Sequence, residues 1–176
     1  MKKLQILDII LRYGTLLIIG LFGAGILYKI FLPLTIYPVY WSLLKHSPQI
    51  IGNTLFADGK VIQIIDACVA TMAYYFLLIL NLTTPGIRFL RRLVFIGLSF
   101  LSLLIVNILR IIILSFMYLA NSPYFDITHK ILWYFGSTIF VVLIWFIGVK
   151  YFKVESIPIY SDLKELYLMS TLSKKK

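Results

Sequence analysis

Cys68 is the only cysteine in the chain, and it stands in "IIDACVATM", residues 64 to 72, two positions after Asp66. A free cysteine in an apolar run most often packs as a small hydrophobe. The other use of such a thiol is nucleophilic attack, which requires a proton carrier and a positive charge close to the sulfur. Arg110 interrupts a long apolar stretch, with Asn107 three residues earlier on the same helix face. An arginine inside a membrane segment is costly and usually lines a functional cavity; near the interface its alternative is to snorkel. His129 follows "NSPYFDIT", and an imidazole can carry protons near neutrality. His46 competes for that role but sits among aromatics in a loop, without an embedded neighbour.

Asp66 is expected to cap a helix that carries Cys68 in its first turn, where N–H groups and the helix dipole favour negative charge on sulfur. The Asp66 carboxylate opposes that charge, so Arg110 is expected to compensate. Asp126 or Thr128 is expected to cap the next helix start, with His129 in its first turn. Metal binding is not expected, because one cysteine and two histidines form a poor ligand set. Neither a phosphate-binding glycine loop nor a serine nucleophile elbow occurs, and no cofactor is implied.

The elements that position these residues follow from composition. Hydrophobic residues make up 61% and charged residues 14%, with a mean hydropathy of +0.95. Soluble domains carry about 25% charged residues, so the chain reads as an all-α integral membrane protein. The single cysteine rules out an internal disulfide, and the net charge of +10 matters here through its distribution rather than as a nucleic-acid signal. Four segments approach the ~20 residues that cross a bilayer: about Ile9–Leu32, Ala67–Ile87, Leu93–Ala120 and Ile131–Val149. The first is longer than a signal-peptide core and is expected to be retained. Residues 1–150 are thus expected to form one transmembrane bundle, and 151–176 a basic cytoplasmic tail.

Placing both termini in the cytoplasm puts twelve Lys and Arg residues inside and four outside, a strong positive-inside bias. The segment 33–66 is then external. Within it "YPVYWSLLK" predicts a short interfacial helix, and Asp58-Gly59 between apolar runs predicts a β-hairpin. In the tail, "SDLKELYLM" predicts an interfacial helix capped by Ser161 or Asp162, and Lys174, Lys175 and Lys176 a solvated end. Counting from Leu93, Arg110 lies about 26 Å along its helix at ~1.5 Å per residue, near the far edge of the bilayer core. Cys68 begins the second span and His129 precedes the fourth. The topology therefore brings all three to the external leaflet of the cell membrane.

In these features the sequence resembles the archaeosortase/exosortase family of membrane cysteine transpeptidases. Ala67-Cys68 matches the Ala-Cys that opens one family helix. "NILRI", Asn107 to Ile111, matches the Asn-x-x-Arg of the next, and His129 ahead of "KILWYFG" matches the basic residue of the helix after that. The resemblance covers about residues 52–151, and the chain's length is that of a compact archaeal-type member. The family usually continues Cys-Ser/Thr-Gly, whereas this chain has Cys68-Val69-Ala70. The added methyl at Ala70 is expected to tighten a peptide groove. The resemblance implies catalytic Cys68, Arg110 and His129, supported by Asn107. It implies cleavage of exported proteins at a C-terminal sorting signal that includes a hydrophobic helix, a thioester on Cys68, and transfer to an acceptor such as a membrane lipid.

Two other readings start from the same residues. In a non-enzymatic polytopic protein, a transporter subunit or assembly factor, Asn107 and Arg110 would line a polar path or hold lipid headgroups. No inverted repeat or pair of broken helices favours a transporter. A phospholipid-modifying enzyme would need clustered acids, and Asp58, Asp66 and Asp126 form no recognisable motif.

Overall fold

The structure, a computed structural model, describes residues 2–169. Lys174, Lys175 and Lys176 lie outside the described residues. The fold is mainly helical, with a small antiparallel sheet at one end. Helix α1 (Lys2–Ser42) leads through a 3-10 turn (Leu44–His46) to strands β1 (Gln49–Ile51), β2 (Thr54–Ala57) and β3 (Lys60–Gln63). Helices α2 (Asp66–Val69), α3 (Thr71–Leu82), α4 (Phe89–Leu119) and α5 (Phe125–Ile131) follow. A π-helical stretch, Leu132–Gly136, joins α5 to α6 (Ser137–Tyr151), and α7 spans Tyr160–Met169.

Among the described residues, three helical segments are long and apolar enough to cross a membrane: Ile6–Ser42, Phe89–Leu119 and Phe125–Tyr151. Many of their large apolar side chains face outward, among them Leu21, Phe22 and Ile147, as lipid solvation requires. The segment expected as the second span instead holds a 12-residue helix, α3, about 18 Å long at ~1.5 Å per residue and so well short of a bilayer core. Its start is set by Ala70, whose left-handed backbone (φ 63°, ψ 36°) breaks α2 from α3. Near its end, the Thr83 and Thr84 hydroxyls turn back onto the carbonyls of Ile79 and Leu80.

Helix α1 also differs from expectation. It runs ten residues past Leu32, so "YPVYWSLLK" forms no separate helix and Pro33 and Pro38 lie inside α1. Each proline removes one N–H donor from the helix ladder. Burial of Phe31, Ile36, Val39 and Leu43 in the main core holds the helix together across them, since helical stability in proteins comes mostly from packing.

The inner face of α4 is a regular stripe: Arg92, Phe95, Ser99, Leu103, Asn107, Ile111 and Ser115 are buried. Small and polar residues on such a stripe let membrane helices approach closely and bond across the contact. Phe95 packs directly against Gly148 of α6, leaving no room there for a Cβ.

One end of the bundle carries the sheet. Residues β2 and β3 pair from Thr54↔Gln63 to Ala57↔Lys60. Asp58 (φ 48°) and Gly59 (φ 72°) form the connecting two-residue turn, the positive-φ pair a tight hairpin needs. Lys60 donates to the Tyr118 and Leu119 carbonyls and to Asn121 Oδ1. The hairpin is thereby tied to the last turn of α4.

The opposite end holds the C-terminal segment. The Arg12 guanidinium grips the Asp162 carboxylate through two nitrogens, at 2.7 and 2.9 Å, and donates to the Leu82 carbonyl at 2.8 Å. Tyr13 donates to the same carboxylate. The expected cap at Ser161 or Asp162 is therefore corrected. α7 begins at Tyr160, Asp162 is buried against Arg12, and Ser161 Oγ accepts from Ile157 N–H upstream of the helix. Arg91 to the Phe152 carbonyl, Ser156 to the Pro85 carbonyl and Ile159 N–H to the Thr83 carbonyl fasten the intervening segment.

Candidate functional site

Cys68 lies in a single turn of helix, packed under α4. Its main-chain carbonyl accepts from Asn107 Nδ2 at 2.8 Å, and Asn107 is almost wholly buried. The polar residue three positions before Arg110 thus holds the peptide of Cys68. The Cys68 thiol is half-buried and points at the Gln63 carbonyl, 4.0 Å away.

Arg110 reaches across α2 toward α6. One terminal nitrogen donates to Ser137 Oγ at 3.0 Å and the other to the Ala67 carbonyl at 3.4 Å. Among the described residues, its Nε is buried without a hydrogen-bond partner. The guanidinium and Cys68 line the same cavity.

His129 closes the same space from α5. Its ring stacks on Phe125 (5.5 Å between centroids) and meets the edge of Trp133 at 5.9 Å. The expected cap at Asp126 or Thr128 is corrected, because Tyr124 precedes α5 and no side chain caps it. His129 is in the last turn of α5, just before the π-helical stretch, a feature that often marks functional sites.

Cys68, Arg110 and His129 all line one cavity of about 280 Å³. Its walls are β3 with Ile64, the C-terminal part of α4, and α5 with Leu132 and Trp133; most of the lining is apolar. No hydrogen bond joins His129 to Cys68 among the described residues.

A second cavity of about 270 Å³ lies on the other side of Arg110, lined by Asp66, Ala70, Thr71 and Ser137, with Trp133 shared. Two expectations change here. Asp66 is the first residue of α2 and makes no cap bond; its carboxylate accepts from Thr71 Oγ1 at 2.5 Å. Ala70 lines this second cavity, so its methyl does not narrow the space beside the thiol. A helix of four residues also gives Cys68 little of the dipole expected there.

His46 stands apart, its Nδ1 paired with Asp58 at 2.5 Å beside the hairpin turn. Among the described residues, no three of His, Cys, Asp and Glu gather as metal ligands. Sequence reasoning missed Ser137 and the Gln63 carbonyl. The polar Ser137-Thr138 pair inside an otherwise apolar run was the available signal for the first. The second is main chain and leaves no trace in residue type.

The chain matches no family model, no curated protein and no solved structure.

Proposed function

We propose that the protein is a membrane-embedded cysteine peptidase and transpeptidase of the archaeosortase/exosortase kind. The observation that carries this reading is the convergence of its one thiol with Arg110 and His129 on a single cavity. Ionised Cys68 attacks the scissile carbonyl carbon, and Arg110 stabilises the oxyanion that forms. The C–N bond then breaks, the departing amine takes a proton from His129, and the acyl group remains as a thioester on sulfur. An acceptor hydroxyl or amine next attacks the thioester and gives up its proton through His129. The C–S bond breaks and the sulfur leaves as thiolate.

On this reading both termini are cytoplasmic and the cavity opens at the external leaflet. There it meets exported proteins bearing a C-terminal hydrophobic signal, with a membrane lipid as acceptor. The test is processing of an exported reporter that carries such a signal. Cys68→Ala should abolish processing while the protein stays in the membrane at unchanged level, and a membrane-impermeant maleimide should label Cys68 from outside. Undiminished processing by Cys68→Ala would remove the enzyme reading.

A second reading has its own support. The hydrogen bonds of Arg110 run to Ala67 and Ser137, and that of Asn107 to a main-chain carbonyl, a polar network that could serve a non-enzymatic protein as a polar or headgroup site. It requires that Cys68→Ala be tolerated and Arg110→Ala not.

A further inference from the structure

The sheet has the order β1-β2-β3, so β3 is an edge strand, and its residues Val61, Ile62 and Gln63 line the cavity that holds the thiol. In an antiparallel pair, residues alternate between exchanging both main-chain bonds with the partner and directing them away from it. Ile64 N–H bonds the Asn53 carbonyl at 2.8 Å, which fixes the phase. Ile62 faces its partner Leu55, and the main-chain groups of Val61 and Gln63 point out of the sheet. The Cys68 thiol meets one of these outward groups, the Gln63 carbonyl.

The edge is also held in place at both ends. Lys60 fastens its start to α4, and Tyr28 and Asn53 both donate to the Ile64 carbonyl just beyond its end. An exposed edge of this kind is a ready template for another strand. Here it faces a mostly apolar cavity with a sulfur at its far end.

We infer that the substrate binds as an extended peptide strand added to the free edge of β3, with its main chain read by Val61 and Gln63. This rests on the reading of Cys68 as the nucleophile. A substrate residue paired with Gln63 lies beside the sulfur, so the peptide bond that follows it is the one presented for attack. Alternate side chains of the bound strand enter the apolar cavity while the others face away. Recognition is thereby divided: backbone bonds set register, and apolar side chains select sequence.

The test measures alkylation of Cys68 in the full chain in lipid nanodiscs. The probes are a library of acetylated apolar hexapeptidyl chloromethyl ketones and matched libraries N-methylated at one or the other set of alternate amides. All rates are taken relative to iodoacetamide. One methylated set should react about tenfold more slowly, the size of one to two net hydrogen bonds, and the other set should match the parent. Val61→Pro, which removes an outward donor to a substrate carbonyl without breaking the β2 pairing, should slow the unmethylated library relative to iodoacetamide. Peptide alkylation, but not iodoacetamide, should also slow amide hydrogen exchange at Val61 and Gln63. Equal rates for all libraries, or unchanged exchange at both amides, would overturn strand addition. If Cys68-dependent processing of the reporter persisted in that case, the thioester reading would stand without it.

Discussion

Asn107 donates its side-chain N–H to the main-chain carbonyl of Cys68 at 2.8 Å, tying the middle of α4 to the turn that carries the thiol. Asn107→Ala leaves that carbonyl without its donor in a buried setting. The expected loss is about 1–3 kcal/mol, read as a lower thermal-unfolding midpoint in detergent. An unchanged midpoint would mean that water replaces the amide.

Arg110 holds two acceptors at once, Ser137 Oγ and the Ala67 carbonyl. A lysine keeps the charge but has no planar fork to span them. Arg110→Lys should therefore cost at least about tenfold in processing, and Ser137→Ala less, since the second acceptor and the charge remain. Full activity in Arg110→Lys would reduce the role of this side chain to charge alone.

Ala70 adopts φ 63° between α2 and α3, a conformation that costs a residue with a Cβ roughly 1–2 kcal/mol. Ala70→Gly should stabilise the protein by up to about that amount, less the added freedom of the unfolded chain. Ala70→Val should destabilise it and disturb Cys68 two residues away. A thermal midpoint lowered by Ala70→Gly would contradict this account.

The Arg12–Asp162 pair is nearly closed to solvent, at 5% and 1% exposure. Arg12→Leu leaves the Asp162 carboxylate buried with only the Tyr13 hydroxyl and should cost about 3–5 kcal/mol. Asp162→Leu should cost less, because Arg12 also pairs with Asp8 at 2.9 Å. Replacing both with apolar residues should cost less than Arg12→Leu alone. Arg12→Leu, Asp162→Leu and the double variant, compared by thermal unfolding and by protease cleavage after Lys153, test this. Cleavage should rise in the single variants. Strictly additive losses would mean that the pair does not act as a unit.

The parts of the site that were legible in the sequence are those where residue type is rare for its setting. A lone thiol, an arginine in an apolar helix and a histidine before another such helix each stand out, and the structure gathers them in one cavity. What was not legible depends on main-chain geometry or long-range packing. Gln63 contributes a carbonyl, and Ser137 is an ordinary residue whose partner is distant in sequence. Asp66 and Asp162 carry cap-forming side chains, yet Thr71 and Arg12 hold them instead. Hydropathy located the apolar segments but not the break at Ala70, because a single φ angle leaves no compositional mark. It also ended α1 too early, because proline reads as a stop when nearby packing is unknown.

The most direct test of the central claim is mass analysis of the Cys68 peptide from membranes that co-express an exported reporter with a C-terminal hydrophobic signal. The account predicts an acyl adduct on Cys68 that hydroxylamine removes and that is absent in Arg110→Ala. Reporter processing that continues in Cys68→Ala, with no adduct on the wild-type thiol, would contradict it.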